Sequence, residues 1–454
     1  MLMAGTDDQS PMPDPQNDTL DVLVVGAGVS GLAAVRELDG AGLRVMCVEA
    51  RNRIGGRIFT VHDALCPLPI ELGAEFIHGR PSDLWTLLSD ANAGIYDVSG
   101  EFMHVHAGKR KDNDKVESGV DRLMDEIKAH KSDEADETFA HFLARSAYPP
   151  EVKQWAESFV EGFNAANSDV VGIASLAEDT RAFDRIDGGR SFRVIGGYDS
   201  LPRYLLNRIG RVDQKLRLNS VVESVEWQRG KVRTTVRSSI TGDVDVYYSR
   251  CIIITVPLGV LQAVSNEHGF IHFQPEPERT LAAARKLAFG QVFRMVLRFD
   301  RPFWENNPDL SDAGFLLSEE QSFPTWWTAR PFRAPIITGW SASRRAEGLL
   351  GRNKSEIVRE AVASLARITG LAPSRLQHVY FHDWHADPFS RGAYSYVPAG
   401  ALADRQVLAA PVEETLYFSG EATDLSGHAA TVHGALETGQ RTAEQILNTV
   451  RASR

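Results

Sequence analysis

The sequence predicts an α/β fold with an α+β portion inserted into it, and three observations carry that expectation. A short apolar run, DVLVVG (21–26), passes into a glycine-rich turn, a helix through LAAVRELDGAG and a second apolar strand, LRVMCVEA (43–50). Strand-rich stretches return at 216–257, and a last strand, LYFSG (416–420), leads to a helix from about Thr431 to Val450. Helical and mixed segments separate these elements, so the unit they build is discontinuous and a second unit interrupts it.

Each element has its own reason. DVLVVG is the continuous apolar run that a parallel strand covered on both faces requires. The turn after it carries G-x-G-x-x-G as Gly26, Gly28 and Gly31. The first glycine permits the tight turn and the second lets backbone amides approach a pyrophosphate. The third allows close helix–strand packing, and the helix N-terminus favours negative charge. Glu49 ends the second strand, where a carboxylate accepts from ribose hydroxyls. SDLWTLLSDANAG (82–94) reads as helix, as do VESGVDRLMDEIKAHK within the charged stretch 109–137 and the patterns through 138–166. The charges of that stretch mark a solvated face. IGGYDSLPRYLLNRIG (195–210) is a Gly-Gly turn into an amphipathic helix, and 271–392 mixes strands and helices. The expected division is a disordered lead over 1–20, a nucleotide-binding domain from 21–84, 197–268 and 393–454, and a substrate domain from 85–196 and 269–392.

One strand carries an anomaly. In LAFGQVFRMVLRF (287–299), alternation puts Phe293, Met295, Leu297 and Phe299 on a core face. Val292, Arg294, Val296 and Arg298 share the other, so a guanidinium that keeps its charge sits in an apolar run.

Composition narrows the function classes. The 454 residues are 43% hydrophobic and 24% charged, as in ordinary globular proteins, and the net charge of -11 has the wrong sign for a nucleic-acid binder. Three scattered cysteines, Cys47, Cys66 and Cys251, fit a reducing compartment better than a disulfide framework. The polar, proline-rich start lacks the cationic and apolar regions of a signal peptide, and no segment reads as membrane-spanning. A cytoplasmic protein, monomeric or homodimeric, is expected.

Beyond Glu49 the text is EARNRIGGR, with arginines and a Gly-Gly pair suited to a second pass over the pyrophosphate of an extended dinucleotide. With ELGAEFIHG (71–79), GGYDSLPRYL (196–205), TVPLGVL (255–261), RPFW (301–304), DPFSRGAYSYVPAG (387–400) and YFSGEATDLSGHAATVHGALETGQRTA (417–443), the chain resembles the flavin-containing amine oxidase family. That family includes monoamine oxidases, polyamine and spermine oxidases, and lysine-specific histone demethylases. The resemblance implies a discontinuous Rossmann-like FAD-binding domain of the glutathione-reductase type with an inserted mixed-sheet and helical substrate domain. It implies that Glu49 holds the adenosine ribose, that Arg51, Gly56 and Arg57 lie along the pyrophosphate and ribitol, and that Val222 meets adenine through its backbone. Glu421 would anchor the cofactor near its phosphates or ribitol, and the Val432 amide would face the flavin N1–C2 edge at a helix N-terminus.

For the chemistry, the resemblance implies hydride transfer from the α-carbon of an amine to flavin N5. Imine hydrolysis would give an aldehyde, and O2 would reoxidise the flavin with release of hydrogen peroxide. Tyr394 matches the first of two flavin-facing tyrosines, Thr431 takes the place of the second, and Ala393 stands where monoamine oxidases carry the flavin-bonding cysteine, so FAD is expected to be non-covalent. Arg294 falls where most of the family has a lysine linked to oxygen reactivity. His78 matches a histidine near the substrate amine, and Glu75, Glu157, Glu161 and Trp326 are candidates for a substrate's cationic groups. His378, His382 and His385 of HVYFHDWH would make a metal face on a helix, but the stretch reads as strand, so no metal is expected. The alternatives are an L-amino-acid oxidase on the same scaffold, with Arg80 or Arg294 meeting a carboxylate, and a flavin-binding protein with weak or lost activity.

Overall fold

The computed structural model describes residues 19–131 and 134–452. The expected N-terminal lead lies outside the described residues up to position 18, and Leu20 already opens the first strand.

Two sheets organise the chain. In the first, Leu20–Val25 runs parallel to Val45–Val48 on one side and to Val244–Ile254 on the other. Val22, Leu23 and Val24 are fully buried, because helices and the meander cover both faces of this run. Val244–Ile254 pairs with three strands along its length. Its first half closes an antiparallel meander with Ser220–Gln228 and Lys231–Ser238, and its second half pairs in parallel with Leu20–Val25 and Leu416–Phe418. Strands from the early, middle and late chain therefore share one sheet. His272–Gln274, inside the stretch expected to belong to the other unit, is also hydrogen-bonded into this sheet, beside Ser220–Gln228.

Two helices flank the first strand. Val29–Gly40 packs against the C-terminal helix Val432–Ala452, and the two come close because Gly439 lies on Ser30, where a Cβ would stand 2.2 Å from the Ser30 carbonyl oxygen.

The second sheet runs Leu376–Phe381, Val292–Phe299, Ile336–Ala342, Thr325–Thr328, Ala313–Leu317, Glu101–His106 and Lys109–Arg110. The alternation read for 292–299 holds. Phe293, Met295, Leu297 and Phe299 enter a core with the helix Lys354–Thr369, while Val296 packs in a separate cluster on the other face. That helix starts at a capping box of Asn353 and Glu356 and stops at Gly370 in the left-handed region. Four helices, Asp114–Lys128, Phe139–Arg145, Pro150–Phe163 and Ile173–Arg185, share a further core around Leu123, Phe139, Val160 and Leu176. The fourth of these, and the short strand Ser191–Val194, had no counterpart in the sequence reading. Among the described residues no helix is long and apolar enough to cross a membrane.

Candidate active site

A cavity of about 1110 Å³ extends from the glycine turn after the first strand to an aromatic passage beside the second sheet. Its size exceeds what a drug-sized ligand alone needs, which is roughly 300–1000 Å³.

The nucleotide end is built by the backbone. Gly26 has φ +106°, and Gly31 packs so closely on it that a Cβ would meet the Gly26 carbonyl oxygen at 2.0 Å. Gly31 therefore lies beneath the cavity wall, whereas Gly26 and Gly28 line it. A Cβ on Gly56 would approach Gly28 Cα to 3.3 Å, so these two strips of bare backbone form a slot that side chains would fill. The helix Val29–Gly40 opens there with no side-chain cap, leaving its first amides for an anionic group. Glu49, buried at the end of its strand, accepts from the Ala27 amide at 2.8 Å and the Arg51 amide at 2.9 Å. Arg51 is held by Asp387 at 2.8 Å, and His382 shares that carboxylate at 2.9 Å. Val222 lines the cavity from the meander. The slot, the uncapped helix and the buried acid fit the pyrophosphate and ribose of a dinucleotide.

Midway, Glu421 is buried and collects donors from three segments. Arg57 Nη1 donates at 2.8 Å, the Ser395 hydroxyl at 2.6 Å and the Ala430 amide at 3.0 Å. Arg57 also donates to the Ala393 carbonyl at 2.8 Å. Val432 begins the C-terminal helix at the cavity wall, and Thr431 caps that helix, its Oγ1 accepting from the Gly434 amide at 2.9 Å. A helix start aimed into the cavity favours negative charge there. These residues fit the extended middle and ring of an FAD molecule.

At the far end stand Arg294, Tyr394, His78 and Glu75, all lining the cavity. Arg294 is 4% exposed and donates to the Gly73 carbonyl at 2.7 Å and to the Glu75 carboxylate. Glu75 also forms an ion pair with Arg193 at 2.6 Å and accepts from the Trp327 indole N–H at 3.0 Å. Burial pushes the Glu75 carboxyl up, but Arg193 and Arg294 outweigh it and hold it below the usual range. Burial alone lowers His78 to about 4, so it is a neutral imidazole at neutral pH. Tyr394 donates to the Phe163 carbonyl at 2.8 Å, and burial raises its phenol well above the ordinary value.

Three expected substrate contacts are corrected. Trp326 is fully buried in the core beneath the second sheet and donates to the Phe323 carbonyl; its neighbour Trp327 lines the cavity instead. Glu157 and Glu161 share one helix face as read, but that face meets Arg344, whose guanidinium reaches each carboxylate at 2.6 Å, and neither residue lines the cavity. Glu75 lines the cavity, with two guanidiniums on its carboxylate. The histidine stretch divides: His378 is on the strand Leu376–Phe381, while His382 and His385 lie in the loop after it, against Asp387 and Gln291. Arg193 and Asp387 were missed. Arg193 stood on a strand too short to be read, whereas Asp387 was visible as the first residue of a quoted motif.

The profile of a family described as "Flavin containing amine oxidoreductase" matches residues 29–447. Among curated relatives, Lysine-specific histone demethylase 1 homolog 3 of Arabidopsis thaliana is 28% identical over 96% of this chain, which spans 30% of that protein. Polyamine oxidase 4 of Oryza sativa subsp. japonica is 28% identical over 93% of this chain and 88% of its own. In fold the chain is similar to putrescine oxidase in a structure with bound putrescine (TM-score 0.79, 23% identity, covering 95% and 99% of the two chains). It is equally similar to Cyclohexylamine Oxidase from Brevibacterium oxydans IH-35A (TM-score 0.79, 21% identity, covering 95% and 100%). With the glycine slot, the buried acid and the aromatic passage joined in one cavity, the chain belongs to the flavin-containing amine oxidoreductase family.

Proposed function

We propose that the protein is an amine oxidase that holds FAD non-covalently and passes electrons to O2. The carrying observation is the continuity of the cavity: the dinucleotide slot at Gly28 and Gly56 opens through Glu421 and Val432 directly onto Arg294, Tyr394 and Thr431. When bound, the flavin supplies two-electron oxidation of a carbon–nitrogen bond. The chain's own residues position and desolvate. Glu49, Arg51 and the first helix hold the nucleotide, while Glu421 with Arg57 fixes the middle of the chain of ligand atoms. The Val432 helix start stabilises negative charge on the ring edge. The aromatic passage excludes water from the reacting carbon and orients the amine. Ala393 lines the cavity and no cysteine does so among the described residues, which supports non-covalent retention.

An amino-acid oxidase would need a guanidinium free to fork onto a substrate carboxylate. Arg294 directs its donors to Gly73 and Glu75, Arg345 is matched to Glu161 at 3.6 Å, and Arg80 lies over Trp85 and Phe192 away from the cavity wall. The test is anaerobic mixing of the yellow protein with amines and with amino acids. Bleaching by an amine supports the proposal. Bleaching by amino acids alone, or by neither class, overturns it.

A further inference from the structure

Given the amine-oxidase reading, on which this step rests, the cavity wall itself selects among amines. Asp179 stands 3.9 Å from Arg405 with its Oδ1 left without a hydrogen bond, but the other inner acids are matched to arginines: Glu49 to Arg51 at 3.9 Å, Glu421 to Arg57 at 2.8 Å, and Glu75 to both Arg193 and Arg294. The last cluster carries two guanidiniums on one carboxylate, so the wall nearest the reacting end is net positive. The other lining carboxylates among the described residues, Glu117, Asp121 and Glu319, are solvent-exposed. Charges there are screened, so they steer cations without holding one in a fixed place.

The passage is instead aromatic. On the side of the second sheet Phe102 stacks on Phe315 at 4.4 Å, and Phe315 leads inward to Trp327 at 5.9 Å and Trp340 a further 5.9 Å on. From the helix Pro150–Phe163, Phe159 and Phe163 contribute a second stacked pair at 5.5 Å. Phe102 is 62% and Phe159 46% exposed, a placement that costs apolar surface in contact with water unless a ligand covers it.

We infer that the substrate carries one basic nitrogen on an apolar, ring-sized body, and that short diamines and polyamines are poor substrates. The body stacks on the phenyl and indole faces, and the nitrogen enters uncharged past the Arg294 cluster. A second ammonium among these rings would be desolvated with no free buried carboxylate on the sheet and the helix that carry them; Asp179, whose Oδ1 is unpaired, is on the separate helix Ile173–Arg185.

The experiment uses the full-length, FAD-loaded protein. Peroxide-coupled kinetics and anaerobic bleaching are run with benzylamine, 2-phenylethylamine and cyclohexylamine against putrescine, cadaverine and spermidine. The expected result is a kcat/KM for the best monoamine about 100-fold or more above any diamine or triamine, the scale of one uncompensated buried charge after partial relaxation. Equal efficiencies, or a preference for putrescine or spermidine, overturn this inference and leave the oxidase reading intact. Failure of every amine to bleach the flavin removes the oxidase reading and this inference together. Phe159→Asp supplies a carboxylate in the passage and is expected to narrow the ratio at least tenfold. A folded Phe159→Asp protein with an unchanged ratio would show that the wall does not set the preference.

Discussion

Arg294 and Glu75 form a buried ion pair in which the acid is shared. Arg294 Nη2 and the Trp327 indole take one carboxylate oxygen while Arg193 approaches the other at 2.6 Å. The pair spans two parts of the chain, joining the strand Val292–Phe299 to the segment after Leu72. It explains how an arginine can stand in an apolar strand. The guanidinium is fixed by a carbonyl, a carboxylate and the face of Trp327, 5.4 Å from its ring centre.

Arg294→Lys keeps the charge but replaces a forked, fixed donor with a flexible point charge that cannot serve Gly73 and Glu75 in the same way. Its expected effect is a change in the rate of flavin reoxidation by O2 larger than any change in apparent amine affinity. Stopped-flow reoxidation traces that superimpose on the wild type would refute this. Glu75→Gln, which leaves two buried guanidiniums facing one neutral amide, is expected to cost about 3–5 kcal/mol of stability. Thermal melts read that loss directly.

Glu421→Gln tests the middle of the cavity. The carboxylate accepts from Arg57, Ser395 and Ala430, and an amide group would turn a donor toward one of those donors. FAD is expected to bind at least about tenfold more weakly, or ~1.4 kcal/mol. The measurement is the ratio of flavin to protein absorbance after gel filtration, followed by titration with FAD. Undiminished retention would show that Glu421 supports the fold and not the ligand.

How much of this was legible follows from which constraints are local. The glycine turn could be read because close backbone approach excludes every side chain, and Gly31 shows that exclusion at 2.0 Å. The parity of 292–299 could be read because strand alternation is fixed by geometry. Partners distant in sequence could not. Nothing near Glu157 and Glu161 announces Arg344, and once they share its guanidinium they are structural. Trp326 and Trp327 must face opposite ways, but the sequence does not say which way the core lies; the burial of Trp326 against Phe323 does.

That correction has its own test. Glu157→Gln is expected to leave kcat/KM for monoamines and for putrescine unchanged, because the side chain does not line the cavity. Its stability cost should stay within about 1 kcal/mol, since Glu157 and Arg344 are 36% and 39% exposed. Glu161 is 5% exposed and holds Arg344, Arg345 and Ser168. Glu161→Gln is therefore expected to cost more, about 1–3 kcal/mol. A selective loss of putrescine turnover in either variant would restore the role read from the sequence.

Acid sensitivity follows from the histidines of the cavity wall. Burial lowers His78 from 6.5 to about 4, and burial with the neighbouring His428 lowers His433 from 6.5 to about 3. Both are depressed in the folded state, so below about pH 6.5 the unfolded chain takes up protons that the native chain refuses. Their contribution to stability is therefore complete above 6.5 and declines as the pH falls toward 4 for His78 and toward 3 for His433. His428 acts in the opposite sense: burial lowers it, but Glu437 outweighs burial and raises it, so its contribution is held at low pH and lost as pH rises. His104, which also lines the cavity, is lowered by burial to about 4, while burial raises Asp179 to about 6 and Glu71 to about 7, and those carboxyls gain stability as pH falls; the histidine contribution is therefore read as a difference between variants of the FAD-loaded protein. His433→Gln removes one of the three depressed imidazoles, and the advantage of the wild-type melting temperature over this variant is expected to shrink as the pH falls from 6.5 to 4.5. A difference between the two proteins that stays level over that window would contradict the assignment of His433 as a neutral, desolvated group.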